Sequence, residues 1–254
     1  MTAARPVLQR VHGERILLVG GQRSLILQLA HPMVAAAVDE HSDFPRGALR
    51  RLARTIELTM AVIHGPARER NRAASRIRKT HDRVSGMERE AGTHYRAEEP
   101  ELLLWVLATL VDTVITVHRH FLRPLRDEEE AEYYEAMKEP GRAFGIPDEV
   151  MPPTVGAFHR YVDGMLGGGE LRATAAGRGL VAQVLRPSTV PLWLRPGTEL
   201  GRLLTVALLP DRIRELFDLD VSPASGAALA AVSKVSRIVL PFVPWRLRSL
   251  PQAR

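Results

Sequence analysis

The chain has 254 residues, 45% hydrophobic and 25% charged, a balance that supplies a sizeable core and reads as a globular protein. It contains no cysteine, which excludes disulfides, zinc–thiolate sites and iron–sulfur clusters and leaves histidine, carboxylate and backbone as donors for any metal. A formal charge of +6 and a pI near 10.2 admit an anionic partner, but no helix-turn-helix, zinc or RNP-type pattern focuses that charge, so nucleic acid is not expected.

In chain order, "MTAARPVLQRVHGERILLVGG" holds one short apolar run and no cleavage pattern behind it, which predicts a cytoplasmic protein. Helical periodicity dominates and nothing alternates at period 2 for long, so an all-α fold is expected. A first helix is predicted from Glu14 to Leu29, broken at His31 because Pro32 drives its predecessor out of the helical region. Pro32 then opens a short helix to His41, and a third runs from Arg46 to His64 until "GP" stops it. A basic helix follows from Pro66 to Val84, then a polar loop, "MEREAGTHYRAEE", and then a long apolar helix from Pro100 to Phe121. Its run "LLLWVLATLV" is about half of the roughly 20 residues a membrane span needs and reads as a buried central helix. "DEEEAEYYEAMK", from Asp127 to Lys138, is an amphipathic helix whose early carboxylates suit the helix dipole. Beyond Leu171 prolines interrupt a loosely helical final third, and without repeats or low-complexity blocks the chain 1–254 is expected to form a single globular helical domain.

His81 is the residue that asks for chemistry. Ala74, Ile77, His81 and Val84 stand at i, i+3, i+7 and i+10, so an imidazole continues an apolar stripe. Such a histidine is ordinarily a core residue with both nitrogens satisfied. Against that, Arg76, Arg78 and Lys79 surround it with cations that would hold it neutral and ready for a metal. On the preceding helix Arg51, Arg54 and Thr55 share one face and call for an anionic or oxygen-rich partner. The apolar helix 102–117 offers a hydrophobic wall, with Asp112 as its only charge. A flat apolar macrocycle with two carboxylates and an iron, haem, would satisfy all three features, with His81 on the metal. His31 and His41 read as residues at helix ends or as contacts to a ligand pocket. Asp112 reads as a buried carboxylate bonded to Thr109, Thr116 or an arginine, or as a catalytic group.

The segments "QLAHP" and "VAAAVDEHSDF", then R-x-x-R-T at Arg51–Thr55, R-x-x-H-x-x-V-x-G at Arg78–Gly86 and "YRAEEPELLLWVLATLVDT" resemble the family of the rubber oxygenase (latex-clearing protein) catalytic domain and the membrane-bound oxygenase of mycophenolic acid biosynthesis. The likeness covers about residues 14–165. It implies a globin-like helical core holding haem b, with His81 as proximal iron ligand and Arg51, Arg54 and Thr55 on the distal side. Arg54 replaces the family's lysine and, always protonated, cannot ligate iron. The resulting expectation is a haem-dependent oxygenase using O2 on an apolar, unsaturated isoprenoid or lipid-like molecule, with Arg78 also near the cofactor. Two alternatives stay open: a haem-binding or sensing protein without turnover, and a haem-free helical protein that meets a membrane or a partner through its tail, "LPFVPWRLRSLP", with Trp245 as an interfacial anchor.

Overall fold

The computed structural model describes residues 4–42, 57, 59–187, 190, 191, 193 and 195–250. Helices α1 (Ala4–His12), α2 (Gly21–Leu29) and α3 (Pro32–His41) come first, with a 3-10 turn over Arg15–Gly20. A helical stretch at 59–64 leads to α4 (Ala67–His81), the strands β1 (Ser85–Glu88) and β2 (Thr93–Arg96), and α5 (Pro100–Phe121). Then follow α6 (Asp127–Phe144), α7 (Val155–Gly167), α8 (Ala175–Leu185), α9 (Arg195–Leu208), α10 (Asp211–Leu216), α11 (Pro223–Val239) and α12 (Trp245–Arg248). The fold is all-α with one small hairpin.

Helix α5 is the axis of the core because its sequence is apolar almost all round, a pattern that water tolerates only inside. Leu103, Leu104, Leu107, Val111 and Ile115 are buried in one cluster with Leu27, Leu29, Tyr133, Met137 and Phe158. Trp105 is fully enclosed, and its indole nitrogen donates to the Leu27 carbonyl at 3.1 Å, so burial leaves no polar atom stranded.

Four expectations need correction, the first being the basic helix predicted to reach Val84, which ends at His81. The stretch predicted as one helix from Glu14 opens instead as the 3-10 turn, and regular helix starts only at Gly21. Gly20 lies where a Cβ would stand 2.5 Å from Thr113 Cγ2, so this turn presses directly on α5. The segment expected to be a loop after Gly86 forms an antiparallel hairpin, with Gly86 opposite Tyr95 and Met87 opposite His94. Its turn is tied by the Glu88 carboxylate, which accepts from the Glu90 and Ala91 amides at 2.9 Å each, and Gly92 supplies the positive φ of +65°. Helix α6 does not stop at Lys138 but carries Pro140 inside it and ends at Phe144, where Gly145 in the left-handed region closes it. A Cβ on Gly141 would stand 2.9 Å from both Leu107 Cδ2 and Met151 Sδ, so close packing on α5 holds the helix past its proline.

Among the described residues, two helices are long and apolar enough to cross a membrane by length and composition, Pro100–Phe121 and Pro223–Phe242. The first is core. Only 11% of the second is buried.

Candidate functional site

His81 is the last residue of α4. Ala74 and Ile77 of its stripe pack with Val62, Ala143 and Phe144, while Val84, expected to continue the helix, lies past its end and packs with Tyr95 and Leu102. The ring is half-buried, and its Nδ1 is buried without a hydrogen-bond partner. Burial holds its pKa below the usual histidine value, and Asp82 opposes that shift. The imidazole is therefore neutral, as expected, but desolvation is the cause and not the neighbouring cations.

Beside His81 lies a cavity of about 590 Å³ whose wall includes Asp82, Val84, Tyr95, Arg96 and Glu98. That volume is within the range of small-molecule sites. The hairpin forms the far wall and is clamped to α3. Tyr95 OH donates to Glu40 Oε2 at 2.6 Å, and His41 Nε2 lies 3.1 Å from the Ser85 carbonyl. Burial and this bond to Glu40 raise the Tyr95 pKa, and the same bond lowers that of Glu40. His41 thus meets the site indirectly, by holding the strand that lines it.

The other predicted residues are placed differently. Arg51, Arg54 and Thr55 lie outside the described residues. Arg78 donates from Nη1 to the Ala143 carbonyl at the end of α6, which ties α4 to that helix. His31 stands at the N-cap position of α3, but its side chain makes no capping bond; its Nδ1 is buried and unpartnered, and burial, with Arg172 contributing, lowers its pKa to about 4. Asp112 accepts from Arg23 Nη2 at 2.7 Å, while Arg23 also reaches Thr113 Oγ1 and the Leu208 carbonyl. With every arm of the guanidinium committed, this is a pair that packs α2 on α5, the structural role weighed above.

For haem the fit is partial. A neutral imidazole on the lining of a cavity suits an axial ligand. The expected second-sphere acceptor for Nδ1 is not found among the described residues. Nor does α5 offer the apolar wall that its composition suggested, since its hydrophobic faces are spent on the core. The described cavity wall is mixed, with Arg96 and Glu98 paired beside Val84 and Met87.

Sequence reasoning passed over a second polar cluster. His12 Nδ1 lies 2.9 Å from Tyr133 OH, and the His12 and His64 ring centroids are 5.9 Å apart. His118 Nε2 lies 2.8 Å from the Val11 carbonyl. Burial, then His64 and His118, push His12 down to about 3, and burial pushes His64 down to about 4. These residues sit far apart in the chain, and no local spacing links them.

Residues 9–238 match the family described as ER-bound oxygenase mpaB/B'/rubber oxygenase, catalytic domain. The uncharacterized protein Rv2237 of Mycobacterium tuberculosis and the uncharacterized protein Mb2261 of Mycobacterium bovis are each 27% identical over 153 residues. The aligned region is 60% of this chain and 59% of each relative, so the chain spans under two thirds of the curated relatives it matches. No solved structure matches.

Proposed function

The chain belongs to the mpaB/B' and rubber oxygenase catalytic-domain family, and from that premise we propose that it is a haem b-dependent oxygenase acting with O2 on an apolar, unsaturated small molecule of isoprenoid or lipid-like character. The observation that carries the reading is the His81 imidazole, held neutral by burial and lining a cavity of about 590 Å³. When bound, haem would supply an iron centre able to activate O2. His81 would hold that iron, and its neutral form is the one that offers a lone pair. The Tyr95–Glu40 bond keeps the hairpin against α3 and so fixes the wall that faces His81. Arg51, Arg54 and Thr55 are proposed for the opposite side, where guanidinium and hydroxyl donors would stabilise negative charge developing on oxygen.

Titration of the purified protein with haemin tests the assignment. The expected result is a shifted Soret band at one equivalent, lost or moved in His81→Ala. No shift with the unaltered chain, or an identical spectrum in the variant, overturns it. Oxygen uptake with an olefin then separates an oxygenase from a protein that only holds haem.

A further inference from the structure

Helix α11 has two apolar stripes, and the protein uses one of them. Ala228, Leu229 and Val232 pack against Val117, Phe121, Leu204 and Leu208, with Ser225 and Ser236 buried on the same side. Next to this stripe Ala227, Ala231, Val235 and Ile238 recur at i, i+4, i+8 and i+11 and are all exposed, as is Phe242, by 85%, in the 3-10 turn Leu240–Phe242 that follows α11. Leu247, 65% exposed, continues the uncovered surface into α12. A run of large apolar side chains at helical spacing in water calls for something that covers it.

Charge selects what that is. From Val221 to the C-terminus the sequence has no Asp or Glu, while it carries Lys234, Arg237, Arg246, Arg248 and Arg254. A second copy laid on this face would bring two like-charged segments together, which costs energy. Arg248 is paired with Glu14, but Lys234 and Arg237 stand exposed on α11 itself, where an anionic surface would gain from them. The stripe that packs on α5 and α9 stays engaged only if the helix lies flat and does not cross a bilayer. We therefore propose that the exposed face of α11, extended by Leu247, lies in the interface of an anionic lipid membrane, with Val235, Ile238 and Phe242 entering the acyl boundary.

Within the tail the exposed large apolar side chains are Phe242 and Leu247 rather than Trp245, the anchor that the sequence suggested. Trp245 is half-buried with the Arg248 guanidinium 5.5 Å from its ring, and the chain beyond is fastened by Leu250 N to the Gly13 carbonyl at 2.7 Å and Arg15 Nε to the Ser249 carbonyl at 2.8 Å. The proposal is independent of haem binding.

The full chain is sedimented with vesicles of phosphatidylcholine alone and of phosphatidylcholine mixed with phosphatidylglycerol, and its mass in solution is read by light scattering. It is expected to remain monomeric and to partition onto the mixed vesicles only, less so as salt is raised. The double variant Ile238→Ser/Phe242→Ser should lower partitioning on the order of tenfold, and the charge reversal Lys234→Glu by roughly thirtyfold. Lys234 is exposed and outside the packed stripe, so that variant keeps the test decisive if the double variant unfolds by circular dichroism. Equal partitioning of the unaltered chain and Lys234→Glu, equal binding to neutral vesicles, or a dimer that the double variant splits would each overturn the proposal, the last by naming a second copy as the cover.

Discussion

Arg23 and Asp112 show what a single buried charge asks of its surroundings. The Arg23 side chain is 4% exposed, and its three bonded partners, Asp112, Thr113 and the Leu208 carbonyl, come from the elements it holds together. Removing the carboxylate would leave a guanidinium buried without its counter-ion, a loss of about 3–5 kcal/mol for pairs of this kind. Asp112→Ala is therefore expected to lower the midpoint of chemical denaturation sharply with the haemin spectrum retained in whatever fraction folds. A catalytic Asp112 would show the reverse, near-native stability with lost turnover. His81 stands in contrast, because its buried Nδ1 has no partner to lose. In a folded protein such an atom calls for a partner, a water, an ion or a ligand.

At the scale of an element, the hairpin after α4 depends on one glycine. A Cβ at Gly86 would stand 2.5 Å from Glu40 Oε2 and 2.6 Å from Tyr95 OH, the two atoms that bond each other across the α3–hairpin contact. Tyr95 is not free to yield, being 1% exposed and packed with Ala36 and Leu102, so relief would have to come from the exposed Glu40 and break the bond between them. Gly86→Ala should separate that pair and cost about 1–3 kcal/mol. The change should also loosen the wall facing His81, read as faster hydrogen exchange of the strand amides. Native exchange rates in the variant would remove the clamp from the account. The glycine of the R-x-x-H-x-x-V-x-G motif thus has a steric reason, which the linear pattern contained but could not explain.

For the whole molecule the consequence of so much buried imidazole is an acid limit on stability. His12 and His64 titrate at about 3 and about 4 when folded, below the ordinary 6.5 of an exposed histidine. As pH falls through 6.5 the unfolded chain takes up these protons first, so stability is complete above that value and drains away toward the folded values. The melting temperature is expected to fall between about pH 7 and about pH 5, and His12→Asn, which keeps a polar atom near Tyr133, should flatten the slope while lowering stability overall. An unchanged slope in that variant would assign the acid limit to other groups.

The elements were largely legible in the sequence, because an apolar stripe at 3.6 residues per turn has few ways to be satisfied. The all-α class, the central burial of 102–117, the break at Pro32 and His81 as an inward imidazole on a basic helix all follow from periodicity and proline geometry. What the tertiary structure alone decided involved partners distant in the chain: Arg23 for Asp112, Glu40 for Tyr95, Tyr133 for His12, and the core that claims the apolar face expected to meet a cofactor. Local pattern tells a side chain that it must leave water. Only the packed fold settles which atoms it meets there, since that choice is made by contacts between segments whose spacing along the chain carries no signal.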